Sequence, residues 1–260
     1  MAIRTLFDAL HLNVYSPLRL LKTSVLLMHI AISGCQYSEN YVPIYIDAIT
    51  FEKTIAHKSA LAIEDDDNKK LERYLRENPD LVAVADTFFG RTLLGFAINQ
   101  ENVEAVDILL RKNSDILHKD KNGKTMLEYN FGNHSRINRD LDDLIFQYVR
   151  ENRSKYDEIE LKEALSKSLV RQTVMKFDEY KLETLLELGA DLDYRMPNEF
   201  QHRDSVSYDN SGCALTSASI QKQCETISWL LRNGADSAKG HFTTSKGKII
   251  YYHELVPNCN

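Results

Sequence analysis

Residues 89–120 read FGRTLLGFAINQENVEAVDILLRKNSDILHKD, and this stretch decides the fold. It predicts two short helices joined by a turn, and several of its residues have a clear physical role. We expect Thr92 to cap the first helix by accepting a backbone N–H. Ala97 is small because the two helices pass closely there, and Leu109 and Leu110 bury against a neighbouring unit of the same kind.

Parts of this stretch recur along the chain, so internal repetition is the main feature of the sequence. The end of the second helix appears in four places, Leu75–Leu81, Leu110–Ile116, Leu188–Leu192 and Leu231–Asp236. The start of the first helix appears in three places, Gly90–Ala97, Gly123–Asn130 and, in degenerate form, Gly212–Ala218. A left-handed residue is favoured where the second helices end, at Asn113, Gly189 and Gly234.

These residues resemble the ankyrin repeat, which has a period near 33 residues and the patterns G-x-T-x-L-x-x-A and L-L-x-x-G-A-D. The resemblance implies an all-α fold with short β-hairpin loops, an ankyrin-repeat solenoid of about five helix–turn–helix repeats. We place the repeats at 54–85, 86–120, 121–156, 157–193 and 194–237. The ankyrin domain then spans 54–237, and residues 238–260 form a C-terminal cap or tail.

Two repeats are longer than the pattern. In the fourth, Ala164 and Gly189 lie 25 residues apart, where the second repeat uses 16 between Ala97 and Asn113, so that about nine residues lengthen a helix or its turn. In the fifth, about ten extra residues enter the hairpin loop over 194–208. Insertions in repeat proteins map to loops on one face, often the binding face.

The first 34 residues differ from the rest of the chain. Residues 1–22 contain three basic residues and one acid, and an uncharged run, Thr23–Gly34, follows them. This run is too short to span a bilayer but has the length of a signal-peptide core. It ends in Ile32-Ser33-Gly34-Cys35, which resembles a bacterial lipobox.

The lipobox implies that residues 1–34 are a lipoprotein signal peptide, that Cys35 is lipidated, and that 35–53 form a lipidated tether. Gln36 is not the Asp that retains bacterial lipoproteins in the inner membrane, so the resemblance implies an anchor on the periplasmic face of the outer membrane. The alternative is an amphipathic helix over 1–34, with Cys35 an ordinary buried thiol. A chain started at Met28 would lack a working signal and stay in the cytosol.

Composition argues against several classes of function. The chain has 32 Lys+Arg against 38 Asp+Glu, a formal net charge of −6, and the charge without residues 1–34 is about −8. Nucleic acid is therefore not an expected partner, because Lys and Arg contacts to phosphate supply most of that affinity. Metal-ligand spacings, phosphate-binding loops and catalytic motifs are absent from the sequence. We expect no enzymatic activity, cofactor, metal or small-molecule substrate.

Loop residues of the types enriched at protein–protein hot spots are the candidates for partner contact. By loop they are Phe88, Phe89 and Arg91, then His118, Lys119, Lys121 and Asn122, then Tyr194, Arg195, Phe200, His202, Arg203 and Tyr208. For Phe88 and Phe89 the alternative is that the rings fold back over the base of their own hairpin.

Three cysteines remain after lipidation, so a single disulfide would leave one thiol over. Cys213 occupies the capping position of the fifth repeat, and Cys224 begins its second helix. We interpret both as small buried residues, and the alternative is a Cys213–Cys224 disulfide, which the periplasm allows.

Ankyrin stacks bind other proteins on a concave face built from hairpin loops and first helices. An ankyrin domain behind a lipobox resembles the immunity lipoproteins encoded beside phospholipase effectors of bacterial type VI secretion systems. The resemblance implies a protein that binds and neutralises a lipase-type effector toxin, and whose unprocessed cytosolic form activates it. The acidic mature chain favours a basic partner. An envelope scaffold lipoprotein and a cytosolic ankyrin adaptor, both binding endogenous proteins, are the alternatives.

Overall fold

Five helix pairs follow one another in the computed structural model, which describes residues 48–131, 138–196, 212–243, 248–257 and 259. The first helices are α1 (His57–Glu64), α3 (Leu93–Asn99), α5 (Met126–Tyr129), α7 (Glu158–Gln172) and α9 (Ala214–Ile220). The second helices are α2 (Asn68–Glu77), α4 (Val103–Arg111), α6 (Arg139–Asn152), α8 (Glu179–Glu187) and α10 (Cys224–Arg232). Single 3-10 turns cover Ala48–Phe51, Pro79–Ala83, Arg153–Lys155 and Ser237–Lys239. The chain ends in an antiparallel pair, β1 (His241–Thr243) and β2 (Ile249–Tyr251), followed by α11 (Tyr252–Leu255).

The helices form two layers. The first helices pack side by side from α1 through α3, α5 and α7 to α9, and α2, α4 and α6 pack in the same way in the second layer. Apolar side chains between the layers form one buried core, which includes Leu71, Phe96, Leu109, Leu165 and Trp229. The five predicted helix pairs are therefore present, and they stack as a solenoid.

Capping side chains mark where four of the five second helices begin. Asp67, Asn102, Asn138 and Asp178 each accept a hydrogen bond from a backbone N–H in the first turn of the helix that follows. Asn102 also donates from its Nδ2 to the Ile63 carbonyl oxygen of the preceding repeat, 3.3 Å away. Each cap thus fixes a helix start, and Asn102 also links two repeats.

The predicted ends of the second helices are confirmed. Asn113, Gly189 and Gly234 have φ values of 59°, 101° and 91°. Thr92 differs from the prediction, because it stands at the N-terminus of α3 but its buried hydroxyl makes no capping hydrogen bond. Thr125, at the matching position before α5, does cap its helix and forms a reciprocal capping box with Glu128.

The extra residues of the fourth repeat lengthen both its first helix and the turn that follows. Helix α7 has 15 residues where α3 has 7. The turn from α7 to α8 covers 173–178, whereas the turn from α3 to α4 covers only 100–102. The sequence prediction of a longer helix or turn in this repeat is confirmed.

A disulfide links the C-terminal tail to the last repeat. Cys224 at the start of α10 and Cys259 in the tail form a disulfide, while Cys213 is a free, buried thiol. The alternative Cys213–Cys224 pairing is wrong, and so is the interpretation of Cys224 as buried. The physical reason is direction: the Cys213 sulfur turns inward toward the Thr216 hydroxyl and the Lys239 carbonyl, each 3.5 Å away, whereas Cys224 lies at the surface.

The predicted signal peptide and Cys35 lie outside the described residues, as does most of the predicted tether. Within the part of the chain that the structure covers, none of the helices has the length and apolar character needed to cross a bilayer.

Candidate protein-binding surface

In the described residues, two β-hairpins project between the helix pairs, and a buried aspartate organises each of them. The first hairpin (residues 85–92) closes through a bridge between Ala85 and Thr92, and the second hairpin (residues 118–125) closes through Lys119 and Thr125. The Asp86 carboxylate accepts hydrogen bonds from three backbone N–H groups of its own turn. The Asp120 carboxylate accepts two in the same way. These Asx-type turns fix the backbone of the two tips.

The two hairpins are also bonded to each other. The Lys121 backbone N–H donates to the Phe89 carbonyl oxygen over 2.8 Å, and Lys121 Nζ donates to the Thr87 carbonyl oxygen over 2.6 Å. The His118 Nε2–H donates to the Gly90 carbonyl oxygen over 3.0 Å. These hydrogen bonds join the tips into one surface, which we call the hairpin row.

The two phenylalanines of the first hairpin behave differently. Phe88 is 68% exposed at the tip. Phe89 is half-buried and lies over the Arg91 guanidinium, with the guanidinium carbon 4.3 Å from the ring centroid. The prediction of an outward-facing ring therefore holds for Phe88, and the alternative of a ring folded back holds for Phe89.

Arg91 is not an exposed contact residue, which corrects the sequence prediction. Its side chain is 1% exposed, and its Nε donates to the buried Asp86 carboxylate over 3.1 Å. A carboxylate that is removed from water needs a charged or hydrogen-bonded partner, and Arg91 supplies it. Arg91 therefore holds the first hairpin together from beneath while Phe89 covers it.

The second hairpin exposes cationic and amide groups. Lys119, Lys121 and Asn122 are exposed, and His118 is half-buried. Because Asp86 and Asp120 are turned inward, the hairpin row displays positive charge although the whole chain is acidic. Charge complementarity at this row therefore favours an acidic patch on a partner, which differs from the basic partner suggested by net charge.

A buried polar cluster supports the second hairpin from below. The Tyr129 hydroxyl donates to Asp120 over 2.6 Å, and the Lys124 ammonium lies 4.1 Å from the centroid of the Tyr129 ring. Burial lowers the pKa of Lys124 to about 8, and burial together with the Asp120 hydrogen bond raises the pKa of Tyr129. Arg171 Nε donates to the buried Glu128 carboxylate over 2.7 Å and so ties this cluster to α7. The Thr125–Glu128 spacing is a capping-box pattern, and it is the one sequence signal that points to the cluster.

Tyr194 and Arg195 hold the base of the long loop. The Tyr194 hydroxyl donates to Glu163 over 3.4 Å, and Arg195 donates to the Lys239 carbonyl oxygen over 3.0 Å. Both side chains are half-buried, so their described contacts are internal. The other four predicted residues of this loop, Phe200, His202, Arg203 and Tyr208, lie outside the described residues.

An open groove of about 560 Å³ lies beside the second hairpin. One wall belongs to the second and third repeats and the other to the start of the fourth. The lining residues are Asn113, Asp115, Leu117, His118, Lys119, Tyr148, Lys155, Tyr156, Asp157 and Glu160. Two of the predicted contact residues, His118 and Lys119, are thus brought together with two tyrosines that the sequence did not indicate.

Metal chemistry has no site in the described part of the chain, where no three His, Cys, Asp or Glu side chains are grouped so that they could hold an ion.

Comparison with known proteins identifies the architecture. No protein-family model matches the chain, and no curated protein does. The structure is similar to the "Crystal Structure of EF0377 an Ankyrin Repeat Protein", with a TM-score of 0.53 and 18% identity over 76% of this chain and 94% of that one. The ankyrin repeat domain of Bcl-3, described as a unique member of the IkappaB protein family, matches with a TM-score of 0.49 and 15% identity over 75% of each chain. The stacked helix pairs and the likeness to the first of these structures show that the fold of this chain is an all-α ankyrin-repeat solenoid.

Proposed function

We propose that this chain is a protein-binding ankyrin-repeat lipoprotein that binds and neutralises a phospholipase effector of a type VI secretion system. The observation that carries protein binding is the hairpin row, in which Phe88, Lys119 and Lys121 are exposed on tips joined by hydrogen bonds. Exposed aromatic side chains on a rigid support are typical of interface anchors, because little conformational entropy is lost when they bind.

The chemistry of the row describes the partner surface. An apolar depression that receives the Phe88 ring, rimmed by carboxylates that meet Lys119 and Lys121, would complement it. Such a contact combines apolar burial at the centre with charge pairs at the rim, which is the usual anatomy of a protein interface.

The disulfide supports a location outside the cytosol. Disulfides persist in oxidising compartments such as the bacterial periplasm and are rare in the cytosol. The Cys224–Cys259 bond and the lipobox sequence Ile32–Cys35 are separate features, and both favour export. They favour the envelope lipoprotein over the cytosolic adaptor.

The lipid anchor gives neutralisation a physical basis. A protein attached through Cys35 to the periplasmic face of the outer membrane is held at a lipid surface, where its concentration near an incoming lipase is high. We infer that the hairpin row covers the active-site cleft or the membrane-docking surface of the lipase.

The proposal expects a phospholipase gene beside the gene of this chain, and the test pairs the two encoded proteins. The full chain carrying Cys35→Ser, which removes the lipidation site, is titrated into the purified lipase while hydrolysis of phospholipid vesicles is followed. Stoichiometric inhibition supports the proposal. Absence of binding, together with capture of endogenous envelope proteins, would instead support the scaffold alternative.

The anchor is tested separately in cells. The wild-type chain should be found in the outer-membrane fraction, and Cys35→Ser should remove it from that fraction. If the substitution leaves the fractionation unchanged, the lipoprotein assignment is wrong.

A further inference from the structure

The hairpin row stops after the second hairpin. Between α4 and α5, the chain uses residues 112–125 to build that hairpin. Between α6 and α7 it uses only the 3-10 turn Arg153–Lys155 and two further residues, and Asp157 caps α7 directly. The fourth repeat therefore has no hairpin, and the groove of about 560 Å³ lies beside the second hairpin on the side where the next one would stand.

Two backbone carbonyl groups of the second hairpin have the register of those that accept hydrogen bonds in the first hairpin. In the first hairpin, the Phe89 and Gly90 carbonyl oxygens accept hydrogen bonds from Lys121 and His118 of the second hairpin. The residues in the same register of the second hairpin are Asn122 and Gly123, 33 positions later. No N–H or O–H group in the described residues donates to either of their carbonyl oxygens.

The walls of the groove are held in place. The Tyr148 and Tyr156 hydroxyls are 3.5 Å apart, and Lys155 Nζ donates to the Asn113 side chain over 3.2 Å. Asp157 accepts two backbone N–H groups at the start of α7, so it is occupied as a cap. Glu160 remains exposed on the α7 wall. The groove is thus a preformed, mostly polar cleft with two half-buried tyrosines, a composition suited to a peptide segment.

We propose that a loop of the partner protein occupies the vacant hairpin position and completes the row. The loop makes a tight turn, and its backbone N–H groups and one basic side chain donate to the Asn122 and Gly123 carbonyl oxygens. The first hairpin shows the same arrangement inside the chain, where Lys121 and His118 are the donors. Glu160 on the opposite wall favours a lysine or arginine in that loop. This inference rests on the proposed protein-binding function and names the partner element that the groove receives.

A peptide copy of the second hairpin can serve as the probe. In the chain this hairpin packs against the first hairpin in the way that we propose for the partner loop against the second. A head-to-tail cyclised peptide with the sequence of residues 115–125 is added at millimolar concentration to the full ¹⁵N-labelled chain carrying Cys35→Ser. We expect backbone amide shifts at Asn122, Gly123 and residues 155–160. The matched control is the same cyclic peptide with alanine in place of its histidine and of the lysine that corresponds to Lys121, which should shift these signals several-fold less.

Two substitutions in the chain locate the binding. Glu160→Trp places a large ring in the groove and should abolish the shifts, whereas Glu183→Trp, on the exposed face of α8, should leave them unchanged. Shifts that fall elsewhere, equal shifts with the alanine peptide, or no shifts at all would overturn the proposal. Since no partner protein is used, such a failure is distinct from a failure to inhibit the lipase.

Discussion

Lys121 Nζ donates a hydrogen bond to the Thr87 carbonyl oxygen at 2.6 Å, so the side chain of the second hairpin lies across the tip of the first. Its stem passes directly over Gly90, where an added Cβ would lie 3.0 Å from the lysine Cγ. One lysine thus fixes the spacing between the hairpins and leaves Phe88 beside it at the surface.

Phe88→Ala should weaken binding of the partner at least tenfold, because the exposed ring is the apolar centre of the hairpin row. Stability should change little, since the ring is already largely in water. Calorimetric titration against the lipase measures the affinity, and thermal unfolding checks the fold.

The matched control for Phe88 is Ile220→Ala. Ile220 is 41% exposed, and it lies at the end of α9 that leads into the inter-helix turn. Equal loss of affinity in both variants would mean that the row is not the contact surface.

Gly90→Ala should cost more stability than Gly234→Ala. Both glycines have positive φ, 77° and 91°, which costs an L-residue about 1 kcal/mol. At Gly90 the new Cβ also meets the Lys121 side chain and backbone N at 3.0 and 3.1 Å, whereas at Gly234 no atom lies within 4 Å. We expect a loss of about 2–3 kcal/mol at Gly90 against about 1 kcal/mol at Gly234. Urea unfolding of the two variants measures the difference. Equal losses would show that Lys121 moves away from the new Cβ without a cost in stability.

Removal of the disulfide should lower the free energy of unfolding by about 3–4 kcal/mol. Cys224 and Cys259 are 35 residues apart, and the estimate is the loop-closure entropy for that separation. Urea unfolding with and without a thiol reductant measures the effect. Cys259→Ser should show the same loss and no further response to reductant; a large response in that variant would mean that another bond forms.

Lys124 should make the chain more stable as the pH rises above neutrality. Burial lowers its pKa to about 8 from 10.5, so between these values the unfolded chain binds more protons than the folded one. Stability from this group therefore increases from about pH 8 to about pH 10, and below pH 8 it is constant.

The comparison with Lys124→Met isolates that contribution. Relative to this variant, the wild-type chain should gain about 1–2 kcal/mol between pH 7 and pH 9.5, measured by urea unfolding. Parallel pH profiles for the two proteins would show that the ammonium group is well solvated.

The repeat architecture was readable from the sequence because each unit carries its own short-range signals. Asn113 after α4 and the buried pair Leu109 and Leu110 have the roles that their spacing predicts. Such roles depend on neighbours within one or two turns of helix, and a register repeated along the chain reinforces them.

Features set by tertiary contacts were not readable in this way. Arg91 is an ordinary loop arginine in sequence, and its burial follows from the Asp86 carboxylate beneath it and the Phe89 ring above it. Cys259 lies outside the repeats, so no register predicts that it reaches Cys224. The missing hairpin did leave a signal, since only five residues, 153–157, separate α6 from α7, but its meaning depends on what lies beside this short connection.

The absent hairpin also changes how the array holds together. In the described residues, the third and fourth repeats are joined by ion pairs in place of hairpin hydrogen bonds: Glu128–Arg171, Asp142–Lys181, Asp178–Arg139 and Glu187–Arg150. Burial raises the pKa of Asp142, so its link to Lys181 loses its charge at a higher pH than that of an ordinary aspartate would. Cooperativity in a linear array depends on the coupling between neighbours. In acid this solenoid should therefore melt as two blocks that meet between α6 and α7, where at neutral pH it melts as one.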